Sequence, residues 1–157
     1  VGQSVVRSAS SGTAPGTSAA GPVKRRRTKL RIRVLGVLDP LPTNSLTETG
    51  LRKGQRYVAV RLELKNVGRA AWSDAPSGIS TLVSTRGQQA PKATGLLGGP
   101  CGGFQDRVEL APGDSQRGCV NFILYRPAKG RIFQFSPDYP ATAPAQTTAA
   151  SGHIQRP

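Results

Sequence analysis

Arg56-Tyr57-Val58-Ala59-Val60-Arg61-Leu62-Glu63-Leu64-Lys65-Asn66 alternates apolar and polar side chains over most of its length. Val58, Val60, Leu62 and Leu64 fall on one side; Tyr57, Ala59, Arg61, Glu63 and Lys65 fall on the other. A period of two is the signature of a β-strand. One apolar and one wet face places that strand in an antiparallel sheet.

The same alternation occurs upstream in residues 29–38, with Leu30, Ile32 and Val34 set against Lys29, Arg31 and Arg33. Gly36 inside that run marks a bulge or a point of close packing, and Asp39-Pro40-Leu41-Pro42 ends it. Downstream, Asn66-Val67-Gly68-Arg69 turns the chain and Trp72 follows. A single Trp there is expected to plug the end of the core rather than to serve as a ligand platform, because Trp is usually largely buried. Residues 79–85 and 88–93 read as a hairpin around Arg86-Gly87.

Two cysteines bracket Cys101-Gly-Gly-Phe-Gln-Asp-Arg-Val-Glu-Leu-Ala-Pro-Gly-Asp-Ser-Gln-Arg-Gly-Cys119. Residues 107–110 and 116–124 read as two strands of a hairpin. Pro112-Gly113 supplies the turn, Pro by its fixed φ and Gly by its access to positive φ. Residues 131–136 form the last strand, with Phe133 and Phe135 on one face. Some seven short strands separated by turns, with no sustained helical period, indicate an all-β sandwich or barrel. The expected core is Leu30, Ile32, Val34, Val58, Val60, Leu62, Leu64, Val120, Phe122 and Phe133 or Phe135.

The chain of 157 residues accommodates one domain plus tails. Residues 1–28 are rich in Ser, Gly, Ala and Pro and end in a basic run; they are expected to be a disordered basic linker. Residues 29–138 are the expected domain, and residues 139–157 an expected disordered tail. No run of 18 apolar residues exists, so the chain has no transmembrane helix.

Catalytic candidates are few. The single His, His153, falls in the tail, so no Ser–His or Cys–His pair can be built within the domain. Asp106 and Glu109 are three apart on a strand and face opposite sides, which does not suit a paired acid and base. One His, two Cys and no acidic cluster do not make a metal ligand set, and no cofactor is expected. A non-enzymatic protein is expected.

The cysteines have four readings: a disulfide, half of a zinc site, a redox pair or free buried thiols. Zinc needs two more ligands, and redox pairs favour Cys-x-x-Cys spacing. A Cys101–Cys119 disulfide is the favoured reading, with a structural role and a worth of about 3 kcal/mol for a loop of that order.

The formal net charge is +14. Residues 1–28 carry five basic and no acidic residues, and residues 29–138 carry 16 basic and 8 acidic, so the domain is itself basic. Such a balance suits nucleic-acid phosphates or an anionic envelope component such as lipid headgroups, teichoic-type polymers or acidic glycans. The basic residues look scattered along the chain. No nucleic-acid-binding motif occurs, and aromatic residues for base stacking are scarce.

Four ordered segments carry a resemblance: Gly54-Gln-Arg-Tyr57-Val-Ala-Val60-Arg-Leu-Glu-Leu64-Lys-Asn66-Val-Gly68; Trp72-Ser-Asp74; Cys101-Gly-Gly-Phe104; and Leu110-Ala-Pro-Gly113-Asp with Gly118-Cys119-Val-Asn-Phe122. Over residues 29–138 the chain resembles actinobacterial secreted and lipoprotein domains of unknown function, similar to the mycobacterial secreted immunogenic protein with an immunoglobulin-like fold. The resemblance implies an immunoglobulin-like antiparallel β-sandwich of about seven strands, export, and no established enzymatic activity. Within these residues no signal peptide or lipobox cysteine is expected, so export rests on the resemblance, and the domain is more basic than the family leads one to expect.

The expected function is a non-catalytic, exported, envelope-associated binding or accessory domain, secreted or held at the cell envelope, whose partner is a protein or an anionic envelope component. The alternative is a basic cytoplasmic nucleic-acid-binding protein. The glycine-rich loop of Leu97, Gly98, Gly99, Gly102, Gly103 and Phe104 is the expected partner-binding loop.

Overall fold

A computed structural model describes residues 4–10, 27–42, 51–93, 101–102, 104, 107–137 and 152–153. They form an all-β, immunoglobulin-like antiparallel sandwich. Its strands are β1 (Ser4–Ser10), β2 (Arg27–Leu38), β3 (Gln55–Asn66), β4 (Trp72–Asp74), β5 (Ser80–Ser84), β6 (Val108–Leu110), β7 (Ser115–Tyr125), β8 (Gly130–Phe135) and β9 (Gly152–His153). One sheet has the order β1-β2-β3-β7, a second the order β5-β8-β9, and β4-β6 form a short pair. The first sheet ends on β1 and does not close on itself, so the architecture is a sandwich and not a barrel.

The inner face of the large sheet is as the alternation requires. Leu30, Val58, Val60, Leu62, Leu64, Val120 and Phe122 are buried there, with Val34 partly buried beside them. Leu82, Phe133 and Phe135 meet them from the opposing sheet. Each such side chain contributes about 1.5–3 kcal/mol on removal from water. Phe122 and Phe133 cross the interface edge to face, with centroids 6.3 Å apart. Trp72 is fully buried in this core, as expected of a lone Trp, and sits on β4 opposite Leu110 of β6. The bulge expected at Gly36 is present, as a register shift between Val34 and Gly36; the glycine itself is not closely packed.

Several expectations need correction. Residues 4–10 are not an unstructured part of a linker. They add an edge strand to β2, held by the backbone ladder from Ser4↔Arg33 to Ser10↔Arg27. Edge pairing draws on backbone groups more than on apolar side chains, which is why a polar composition did not reveal it. The remaining residues of 1–28, apart from 27–28, lie outside the described residues. So does most of 139–157, where Gly152 and His153 pair with β8.

The cysteine-bracketed stretch is not a hairpin. Its Pro112-Gly113 turn forms as expected, with Gly113 at φ 91° and the Asp114 N–H donating to the Ala111 carbonyl. However, β6 pairs with β4 and β7 pairs with β3, so the turn carries the chain from one layer to another. Residues 88–93 also divide. Gln89 bridges to Val83 as in a hairpin, and Lys92 then bridges to Phe122 on the other sheet.

Asn66 ties this end together. Its side chain accepts from Thr28 Oγ1 and the Gly68 N–H and donates to the carbonyls of Ala70 and Leu110. Its backbone bonds Gly113 and Asp114.

Candidate functional site

The outer face of the large sheet has two halves. At one end, Tyr57, Ala59 and Cys119 are buried beneath Leu41 and Cys101, with Leu38, Leu51, Ala93 and Ile123 packed around them. This half of β3 was expected to be wet. It is dry because Cys101 is bonded to Cys119, with Cα atoms 5.6 Å apart, and brings a covering segment with it. From there the chain runs along the β7 edge: the Cys119 N–H donates to the Gly102 carbonyl, and the Phe104 N–H to the Cys119 carbonyl.

The other half is open and basic. The register of β2, β3 and β7 aligns Arg31 with Lys65, Arg33 with Glu63, and Glu63 with Arg117. Arg61 lies one rung beyond, level with Gly36 and Cys119. Lys29, Arg31, Arg33, Arg61, Lys65 and Arg117 are all exposed on this face, and Glu63 is its single carboxylate among the described residues. Strands lie about 4.8 Å apart and alternate residues about 6.8 Å apart. Residues that looked scattered along the sequence therefore share a patch some three strands wide.

Glu63 sits at the centre, with a cation on each of its four sides: Arg33 and Arg117 across the strands, Arg61 and Lys65 along its own. Arg117 Nε donates to Glu63 Oε1 at 2.8 Å. That hydrogen bond, with the charges of Arg117, Arg33 and Lys65, holds the Glu63 carboxyl below the usual glutamate range. The ion pair draws Glu63 towards β7 and leaves Lys29, Arg31 and Arg33 on β2 as an uninterrupted row of cations.

The residues of the expected partner-binding loop have separate fates. Leu97, Gly98, Gly99 and Gly103 lie outside the described residues. Gly102 is exposed, but Phe104 is buried in the main core, where it packs against Gly118. Cys101 and Cys119 form the expected disulfide. A concavity of about 40 Å³ between residues 84–91 and Ile123, Leu124, Tyr125 and Ala128 is far smaller than the roughly 300–1,000 Å³ of small-molecule sites. Among the described residues, no group of three or more His, Cys, Asp and Glu is placed to hold a metal ion. No helix among them is long and apolar enough to cross a membrane.

No protein-family model, curated protein or solved structure matches the chain.

Proposed function

We propose that the chain is a non-catalytic, exported binding or accessory domain of the cell envelope, and that it meets an anionic envelope component through the basic half of its large sheet. One observation carries this reading: strand register gathers six cations around one carboxylate on an exposed face. A patch of one sign attracts polyanions and raises their local concentration. The Cys101–Cys119 disulfide suits an oxidising compartment, which favours the envelope over the cytoplasm. The resemblance to actinobacterial secreted domains points the same way.

A cytoplasmic nucleic-acid-binding role would use the same charge. The patch offers Lys, Arg and one Glu but no aromatic ring among its described residues, so it lacks a platform for base stacking.

Two measurements test the proposal. Mass spectrometry of non-reduced protein from its native host is expected to find Cys101 and Cys119 oxidised; two free thiols would overturn the export reading. Sedimentation with isolated envelopes is expected to deplete the protein from solution, and to do so at least tenfold less after Arg33→Gln and Arg117→Gln together. Undiminished sedimentation of that variant would remove the sheet face as the contact surface.

A further inference from the structure

The row on β2 constrains which polyanion fits. Lys29, Arg31 and Arg33 alternate along one strand, so their Cα atoms repeat at about 6.8 Å. That repeat is two residues, or six backbone bonds. A different chain that carries one charge per six single bonds, when extended, has nearly the same repeat, because three such bonds span about 3.5 Å. A polyol-phosphate chain has this spacing: P–O–C–C–C–O–P is six bonds from one phosphorus to the next. Polyphosphate, with two bonds between phosphorus atoms, is too dense to place one charge over each cation.

Two further observations favour a linear polymer over a flat anionic surface. Glu63 lies in the middle of the patch, where a planar array of headgroups would press charge against it. A chain laid along β2 lies over Lys29, Arg31 and Arg33, with Glu63 one strand away and hydrogen-bonded to Arg117, and with Ser4 and Val6 of β1 on its other side. Ser4 lies opposite Arg33 on the edge strand and is exposed beside the row, where its hydroxyl can donate to a phosphate oxygen.

We infer that the β2 row binds an extended polyol-phosphate polymer, one phosphate to each of Lys29, Arg31 and Arg33. This rests on the reading of the sheet face as the contact surface and adds the class of ligand. A single-stranded nucleic acid has the same six-bond repeat, and the absence of aromatic side chains on the face decides against it.

The test is fluorescence anisotropy of the full chain with a labelled glycerol-phosphate decamer at physiological salt. Comparators are a phosphate decamer, a glutamate decamer, a ten-residue thymidine strand and phosphatidylglycerol vesicles. The glycerol-phosphate decamer is expected to bind at least tenfold more tightly than any comparator. Three neutralised phosphates predict a slope of log K against log salt of about −2. Arg31→Gln with Arg33→Gln is expected to weaken binding at least tenfold and flatten that slope, with an unchanged thermal midpoint because both side chains are exposed. Arg86→Gln, on the exposed hairpin tip, serves as the control and is expected to change affinity less than twofold.

Equal binding of all the polyanions would overturn the ligand class and leave the sheet face standing. Tighter binding of thymidine or vesicles would overturn the choice of polyol phosphate in favour of that partner. Binding of none would overturn both readings.

Discussion

The ring of Phe104 occupies the space that a side chain at Gly118 would need: a Cβ there would stand 2.8 Å from it. Phe104 comes from the segment that follows Cys101, and Gly118 immediately precedes Cys119, so this contact and the disulfide pin the same two stretches of chain. Gly118→Ala is therefore expected to destabilise the fold by about 1–3 kcal/mol through overpacking. The opposing gain from a stiffer unfolded chain is only about 0.4–1 kcal/mol. Phe104→Ala is expected to cost about 3–5 kcal/mol through the cavity left behind. Urea denaturation of Gly118→Ala, of Phe104→Leu and of the two together checks the contact. The double variant is expected to recover part of the loss, and additive losses would count against it.

Asn66 is fully buried, and its side chain makes four hydrogen bonds. Replacement by Leu keeps the branched shape, adds bulk at a fully buried site, and strands the carbonyls of Ala70 and Leu110 and the Gly68 N–H. Each stranded group costs about 1–3 kcal/mol. Asn66→Leu is expected to lower stability by about 3 kcal/mol or more, or to prevent folding. Thr28→Val removes only the hydroxyl donor and is expected to cost about 1 kcal/mol. A Thr28→Val loss equal to that of Asn66→Leu would show that the network does not centre on Asn66.

Arg56 and Asp39 form a two-point ion pair, Nε to Oδ1 at 2.6 Å and Nη2 to Oδ2 at 3.1 Å, and Arg56 also donates to the Ala128 carbonyl. Their side chains are only 11% and 9% exposed, so neither charge is well hydrated alone. Asp39→Ala is expected to cost about 3–5 kcal/mol, because it leaves a guanidinium uncompensated. Asp39→Leu with Arg56→Met is expected to cost less than either single change. Thermal melts of the four proteins measure the coupling, and a double variant no better than the worse single one would refute it.

Glu63 gives a pH signature. Its carboxyl is held below the ordinary glutamate range, chiefly by the hydrogen bond from Arg117. The folded state therefore favours the charged form. The stabilisation is fully present above the unfolded-state pKa and fades as pH falls through the lowered folded value. The pair is open to water, so the effect is small and screened by salt. A carboxyl-detected NMR titration is expected to place Glu63 below the ordinary glutamate range, and Arg117→Gln is expected to return it towards that range. A Glu63 midpoint that ignores Arg117→Gln would refute the assignment.

The inner face of the sandwich was legible because burial and the strand period coincide at Val58, Val60, Leu62, Leu64 and Phe122. The outer face was not. Tyr57 and Ala59 share a face with Arg61, Glu63 and Lys65, and only the cover brought by Leu41 and Cys101 separates dry from wet. Pro112-Gly113 forms the turn that its residue types predict. Turn chemistry does not determine which strands the two arms then pair with: β6 pairs with β4 and β7 with β3. The basic patch needed register as well. Arg33, Glu63 and Arg117 lie far apart in sequence and become neighbours only when β2, β3 and β7 align. A single sequence carries no signal of that alignment.

β3 is hydrogen-bonded on both edges, and its second neighbour, β7, starts only at Ser115. During synthesis the β3 edge therefore stays open until that later stretch has left the ribosome, a wait of about 2–10 s at ordinary elongation rates. For that time the nascent chain offers unpaired backbone along a strand rich in Val and Leu, the kind of edge that recruits other strands. Nascent chains halted near residue 100 should need a holding chaperone to stay dispersed, and chains released after Phe135, which completes the opposing face of the core, should not.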